Sequence, residues 1–459
     1  MPRYNIVFGE ESVEIELPEG TECLSTRKPE AIANPRQAIL DALGNPIGSP
    51  RLEEIVKTKS VGASCLKVAI VVSDNTRPVP YTGDAGILSP TIDLLLECGV
   101  RAENITIIVA TGTHRSLSEA ELRKMFDRSV FERSINIICH DCRDESNLKF
   151  VGTTSRGTDL FVNRLYLEAD VKILTGLVES HFMAGASGGR KAVCPGLAGE
   201  KSTFVFHGPE FLSSPRARDL SLEGNPCHED ALEAARMAGA DFIVNVTIDS
   251  MFQLTGIYAG DLESAHLEAV NRIAEYVSIP LDREYDIVVT HAGFVGINHY
   301  QAAKAGVVAV PALKPTGKLV MAANATDVDP VGGPLYRTVL HLLSLYGAER
   351  FNQLLLSPDW SFIPEQWQVQ MWARVFSKIP MDNFTYCFPH VSPRDGAILP
   401  GKDGNSLLPS EQRYSRDTGS IATMVELAVD DCMREYEKQG IVPSIAFLED
   451  GPYGVLVHR

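Results

Sequence analysis

Residues 180–191, SHFMAGASGGRK, set a histidine ten positions ahead of a lysine, with two glycines and an arginine directly before that lysine. A glycine-rich turn exposes backbone N–H groups that can nest an anion. His181 can exchange protons near neutrality, and Lys191 can serve as a phosphate contact or a covalent attachment point. The spacing is not that of a nucleotide triphosphatase loop, because Ala192 stands where a magnesium-binding hydroxyl would be required. Two further stretches carry similar chemistry. SDNTRPVP holds Asp74, Thr76 and Arg77 ahead of Pro78 and Pro80, and a fixed arginine fork suits a carboxylate or phosphate. TGTHRS holds His114 behind a turn-forming Gly112 and makes it a second candidate acid or base. His207 follows an apolar run and is a candidate ligand for nickel, zinc or copper, although one imidazole holds a metal weakly by itself. Each residue also has a plainer reading, as a solvated arginine, an ordinary loop lysine or a structural histidine.

These stretches need elements to position them, and the hydrophobic pattern supplies those. LKVAIVVS (66–73), NITIIVATG, INIICH and VKILTGLV are apolar runs rich in Val and Ile, as expected of strands covered on both faces. SPTIDLLLECGV reads as a helix with Ser89 as N-cap and Pro90 at its first position, and SLSEAELRKMF opens on a capping pattern. Strands alternating with helices predict a parallel α/β sheet. Its ligand loops should follow the carboxyl ends of the strands, which is where SDNTRPVP, TGTHRS and SHFMAGASGGRK fall. A second α/β pattern starts at YDIVVTHAG (285–293) and runs through GKLVMAAN, helices at 336–346, 365–378 and 417–438, and a closing strand SIAFLED. We therefore expect two α/β domains with mainly parallel sheets, over 1–281 and 282–459, and an active site in the cleft between them. The boundary is placed near YVSIPLDRE, which carries Pro280 and charge.

The whole chain narrows the function classes. It has 459 residues, 44% hydrophobic and 22% charged, enough for two or three cores. A formal charge of -17 argues against a nucleic-acid backbone as partner. The opening segment reads as a β-hairpin and lacks an uninterrupted signal-peptide core, and no run is long enough to span a membrane. Nine scattered cysteines suit reduced thiols, so the expectation is a soluble, cytoplasmic protein. Cys139 and Cys142 form one C-x-x-C around His140, without the second pair that a zinc site would need.

Taken together, SDNTRP, TGTHR, SHFMAGASGGRK with His207 downstream, and NHYQAAKAG at 298–306 resemble the lactate racemase family, in the same order over most of the chain. The resemblance implies a racemase or epimerase of a 2-hydroxy acid that works through a nickel-pincer nucleotide. It implies that Lys191 carries this pyridinium mononucleotide covalently, that His207 is the protein ligand to nickel, and that His114 and His181 are the acid/base pair. Arg77, Gln301 and Lys304 correspond to contacts with the substrate carboxylate, with Tyr300 beside them as a pocket wall. Asp74 and Thr76 would lie near the cofactor. From the nest geometry we assign its phosphate to Ser187, Gly188 and Gly189. The family's partners would be a small 2-hydroxy acid and the proteins that synthesise the cofactor. One departure is Ser180, where the family usually has proline. The alternative is a non-catalytic protein that binds a nucleotide or small carboxylate in the same loops.

Overall fold

The structure is a computed structural model that describes residues 1–60, 65–415 and 418–459. Its backbone contacts divide the chain into a central unit, 28–276, and a terminal unit made of 1–27 with 277–459. Both are α/β units, as expected.

The central unit is built on a six-stranded sheet. Its spatial order is Leu254–Gly260, Phe242–Ile248, Val171–Leu177, Val68–Ser73, Ile105–Ala110 and Asn136–Cys139. Pairing is parallel throughout, except that the edge strand Leu254–Gly260 runs antiparallel to its neighbour. The reason is legible in Val68–Ser73, where five consecutive apolar residues are buried, so both faces of the strand are covered. Fully burying each such side chain contributes about 1.5–3 kcal/mol. From Val68–Ser73 the chain steps outward through Ile105–Ala110 to Asn136–Cys139, then returns to pair Val171–Leu177 on the other side. The strand order therefore reverses between Val68–Ser73 and Val171–Leu177, and ligands in open parallel sheets bind outside the carboxyl ends at such a reversal.

The terminal unit has its own six-stranded parallel sheet. The order is Lys402–Asp403, Phe384–Cys387, Leu313–Ala322, Tyr285–His291, Ile445–Leu448 and Glu22–Leu24. The first residues form the expected hairpin, Arg3–Phe8 against Glu11–Glu16. Its apolar face, with Ile6, Val13 and Ile15, joins one core with Met424, Val425 and Val429 of the helix Thr418–Glu437.

Several expectations need correction. Residues 1–27 do not belong with the following α/β pattern, because Glu22–Leu24 pairs with Ile445–Leu448 as an edge strand of the other sheet. The division at 276/277 does fall within the proposed boundary segment, which also holds the strand Ser278–Leu281, paired with Val455–His458. The helix given Ser89 as its cap starts at Leu88, and the Ser89 hydroxyl donates to Asp127. The cap at Ser118 is a full capping box with Glu121, as the pattern predicts. The helix expected over 336–346 runs over Pro334–Leu355 with a break at Gly347, whose φ of 72° interrupts the helical geometry. Residue 417, the expected start of the last helix, lies outside the described residues, and the helix is seen over Thr418–Glu437.

Candidate active site

Three loops leave the carboxyl ends of the central strands, and Tyr81 ties two of those strands together beneath them. Its buried hydroxyl accepts from the Ser73 amide at 2.8 Å and bonds Thr175 Oγ1 at 2.8 Å. Burial pushes the Tyr81 phenol up to about 12, so it stays neutral.

After Val68–Ser73, Asp74 turns the chain and is only 4% exposed. Its Oδ1 accepts from the Thr76 amide at 3.2 Å and the Thr76 hydroxyl at 2.6 Å. Its Oδ2 lies 2.7 Å from His114 Nδ1, contributed by the loop after Ile105–Ala110. Burial alone would raise the Asp74 carboxyl, but the hydrogen bond and charge of His114 and the two Thr76 bonds outweigh it and hold the group below its ordinary value. His114 remains open to solvent, with a side chain 54% exposed. Arg77, three residues beyond Asp74, pairs with Glu179 at the start of the third loop, so this ion pair bridges the two strands at the reversal.

The third loop folds back as a short antiparallel hairpin, Ser180–His181 against Gly185–Ala186. His181 Nδ1 accepts from the amides of Met183 at 3.3 Å and Ala184 at 3.2 Å, and its ring stacks on Phe182. Gly185 is required here: its φ is 78°, and a Cβ would fall 2.3 Å from the Ser221 carbonyl oxygen. The three residues assigned to a phosphate make internal bonds. Ser187 Oγ donates to Leu177 O and accepts from Glu179 N, and the Gly189 amide donates to Asn245. A Cβ on Gly188 would press on Val178 and Asn245, so the turn is packed tightly against protein.

Beneath this loop Arg190 is 1% exposed. It donates to Ala184 O at 2.7 Å and Gly188 O at 3.4 Å, and its Nη1 lies 2.9 Å from His266 Nε2. Burial lowers the guanidinium to about 9. Lys191 points elsewhere, with its ammonium 5.9 Å over the Phe206 ring. His207 follows at the end of the short helix Thr203–Phe206, its ring edge-on to Phe206. Desolvation first, and then the charges of Lys191 and His114, push His207 down to about 3, which keeps its imidazole neutral. A neutral imidazole is the form that binds a transition metal. The Lys191 and His207 chemistry therefore fits a nucleotide attached at the lysine and a nickel ion held at the ring.

Asp74, Arg77, His114, His181, Lys191 and His207 thus all sit in the central unit. Tyr300, Gln301 and Lys304 sit in the terminal unit, on the helix His299–Ala309, whose cap Asn298 accepts from the Gln301 amide. The three are half-buried, and Lys304 follows Gln301 and Tyr300 by three and four positions on one helical face. The Tyr300 hydroxyl accepts from Trp367 Nε1 at 2.8 Å. The pattern reading missed Glu179, Tyr81 and Phe206. The one signal for Glu179 was an acidic residue at a strand's carboxyl end.

CHDC proves structural. His140 Nε2 donates to Ala198 O, and Asn163 Nδ2 donates to His140 Nδ1. Among the described residues, no three histidine, cysteine, aspartate or glutamate side chains gather as a metal-binding group. Likewise, none of the described helices is long and apolar enough to cross a membrane.

Comparison with known proteins gives the family. Residues 8–219 match the family described as lactate racemase N-terminal domain. The lactate racemase of Thermoanaerobacterium thermosaccharolyticum is 32% identical over 82% of this chain and 86% of its own. That of Lactiplantibacillus plantarum is 34% identical over 74% and 77%. The solved lactate racemase apoprotein from T. thermosaccharolyticum superposes with a TM-score of 0.82 at 26% identity, covering 99% of this chain and 100% of the other. The chain therefore belongs to the lactate racemase family.

Proposed function

We propose that the chain inverts a 2-hydroxy acid, lactate or a close relative, with a nickel-pincer nucleotide attached at Lys191. The observation that carries this reading is that Lys191 and His207 both meet the Phe206 ring, with the Asp74–His114 pair on the loop after the neighbouring strand. A binding protein has no need of a carboxylate that orients an exposed histidine.

The chemistry explains the residue types. Taking the α-hydrogen of a 2-hydroxy acid as a proton leaves a dianion that little stabilises. Taking it as hydride gives a planar 2-keto acid whose other face can be presented for the return. The bound nickel nucleotide would supply the site that accepts and returns that hydride. The protein moves the other hydrogen: His114 or His181 takes the hydroxyl proton according to the side on which the hydroxyl lies. Arg77 grips the carboxylate and must exchange Glu179 for it. Gln301 and Lys304 are assigned to the same carboxylate, so that the keto acid stays bound while its carbonyl turns. The reading places the enzyme in the cytoplasm with partner proteins that make and load the nucleotide.

The test is expression of the wild-type chain and Lys191→Ala in a host that synthesises the cofactor. Intact mass, nickel content and chiral analysis of lactate are then measured. We expect a nucleotide-sized mass on the Lys191 peptide, nickel near one per chain and interconversion of enantiomers, all absent from the variant. Racemisation that survives Lys191→Ala would defeat the proposal.

A further inference from the structure

The two histidines are held in opposite ways. His114 Nδ1 faces the Asp74 carboxylate at 2.7 Å, and a carboxylate held below its ordinary value accepts but does not donate. The proton of neutral His114 therefore sits on Nδ1, and its lone pair on Nε2. His181 Nδ1 faces two amide N–H groups, from Met183 and Ala184, which donate but do not accept. The proton of neutral His181 therefore sits on Nε2. We infer that Asp74 on one side and the Met183 and Ala184 amides on the other set the two neutral imidazoles in opposite tautomers, so that His114 offers a hydrogen-bond acceptor at Nε2 and His181 a hydrogen-bond donor. Asp74 is then a positioning residue for His114, in addition to shaping the turn through Thr76.

This deepens the function proposed above and rests on it for its consequence. A substrate whose hydroxyl faces His114 meets a base ready at Nε2. The proton passes from the hydroxyl oxygen to that nitrogen, and the imidazolium keeps its Nδ1–H on Asp74. A substrate whose hydroxyl faces His181 meets an N–H instead. That ring must change tautomer and give up two amide bonds before its Nε2 can accept. The two rings are not interchangeable, although the net reaction is symmetric.

The test is nitrogen-15 NMR of the full, cofactor-free chain labelled at histidine, with His114→Gln and His181→Gln identifying the two rings among eleven. The expected spectrum shows His114 protonated at Nδ1 and His181 at Nε2. Both rings in one tautomer in the wild-type spectrum, once assigned, would overturn the inference. Asp74→Asn, whose amide can donate to Nδ1, should move the His114 signals and leave His181 in place. It should also lower kcat of the loaded enzyme by at least about tenfold with little change in KM, as expected when a base is held in the wrong tautomer. An unchanged His114 spectrum in that variant would remove Asp74 from the role. Opposite tautomers in a chain that loads cofactor but never racemises would count against the proposed function and leave this inference standing.

Discussion

Both sheets end a central parallel strand beside a histidine, and the two histidines have opposite fates. In the terminal unit His291 closes the strand Tyr285–His291 at 1% exposure, donating from Nε2 to Glu449 O and accepting the Gly293 amide at Nδ1. Every polar atom of that ring has a backbone partner, so it fixes a turn. In the central unit His114 has one ring nitrogen on a buried carboxylate and stands open to solvent. Position at a strand's carboxyl end is thus common to a histidine fixed by backbone partners and to the proposed acid/base histidine, and the partner distinguishes them. A backbone partner only anchors a ring, whereas a carboxylate also stabilises its imidazolium.

Substitutions test this contrast. The largest expected effect is at His114: His114→Gln should cut turnover of the loaded enzyme by about 10²–10⁴-fold while the chain stays folded. His291→Gln should instead cost about 1–3 kcal/mol of stability, seen in denaturant melts, and leave turnover per folded molecule near wild type. A folded His291→Gln protein without activity would collapse the distinction. A third effect concerns acid. Burial pushes His299, in the terminal unit, down from 6.5 to about 3, so the fold keeps it neutral. Its stabilisation is complete above the unfolded value of 6.5 and is lost as pH falls from there toward 3. His299→Gln should therefore lower stability at pH 7 yet flatten its fall across that window, and an equally steep acid loss would place the titrating group elsewhere. The smallest effect is at Glu179, whose ion pair with Arg77 is about one-third exposed. A pair this exposed is worth about 0–1 kcal/mol, so Glu179→Gln should change KM for the hydroxy acid by no more than about fivefold, downward, with kcat little altered.

The sequence carried the strands well because burial on both faces leaves unbroken runs such as VAIVV, and it located the loops because strand ends follow from the strands. It did not carry the pairing partners. Nothing in Glu22–Leu24 marks it as the edge of a sheet whose other strands lie far along the chain, since three residues hold no periodicity. The same limit applied within the site. His114, His181 and Lys191 were legible as types in loops after strand ends, and His207 as a histidine after an apolar run, but the Asp74 contact, the Glu179 pair and the Phe206 face depend on which loops meet in space. Ser187 and Gly189 show the converse: a glycine-rich turn reads as an anion nest, yet its hydroxyl and an amide are engaged by Leu177, Glu179 and Asn245. His299 adjoins the predicted Tyr300 and Gln301 but stacks on Trp372 at 4.4 Å as core.

The interleaving of the two units also sets an order of events during synthesis. The Thr26 amide donates to the carboxylate of Asp450, 424 residues further on, and Leu24 pairs with Leu448 beside it. At about 5–20 residues per second, the strand Glu22–Leu24 leaves the ribosome tens of seconds before its partner exists. Within that interval the central unit is completed and can fold, while the first hairpin and its following strand remain an unfinished edge. Such an edge is a natural target for a chaperone, and the terminal unit closes only when the last strands are released.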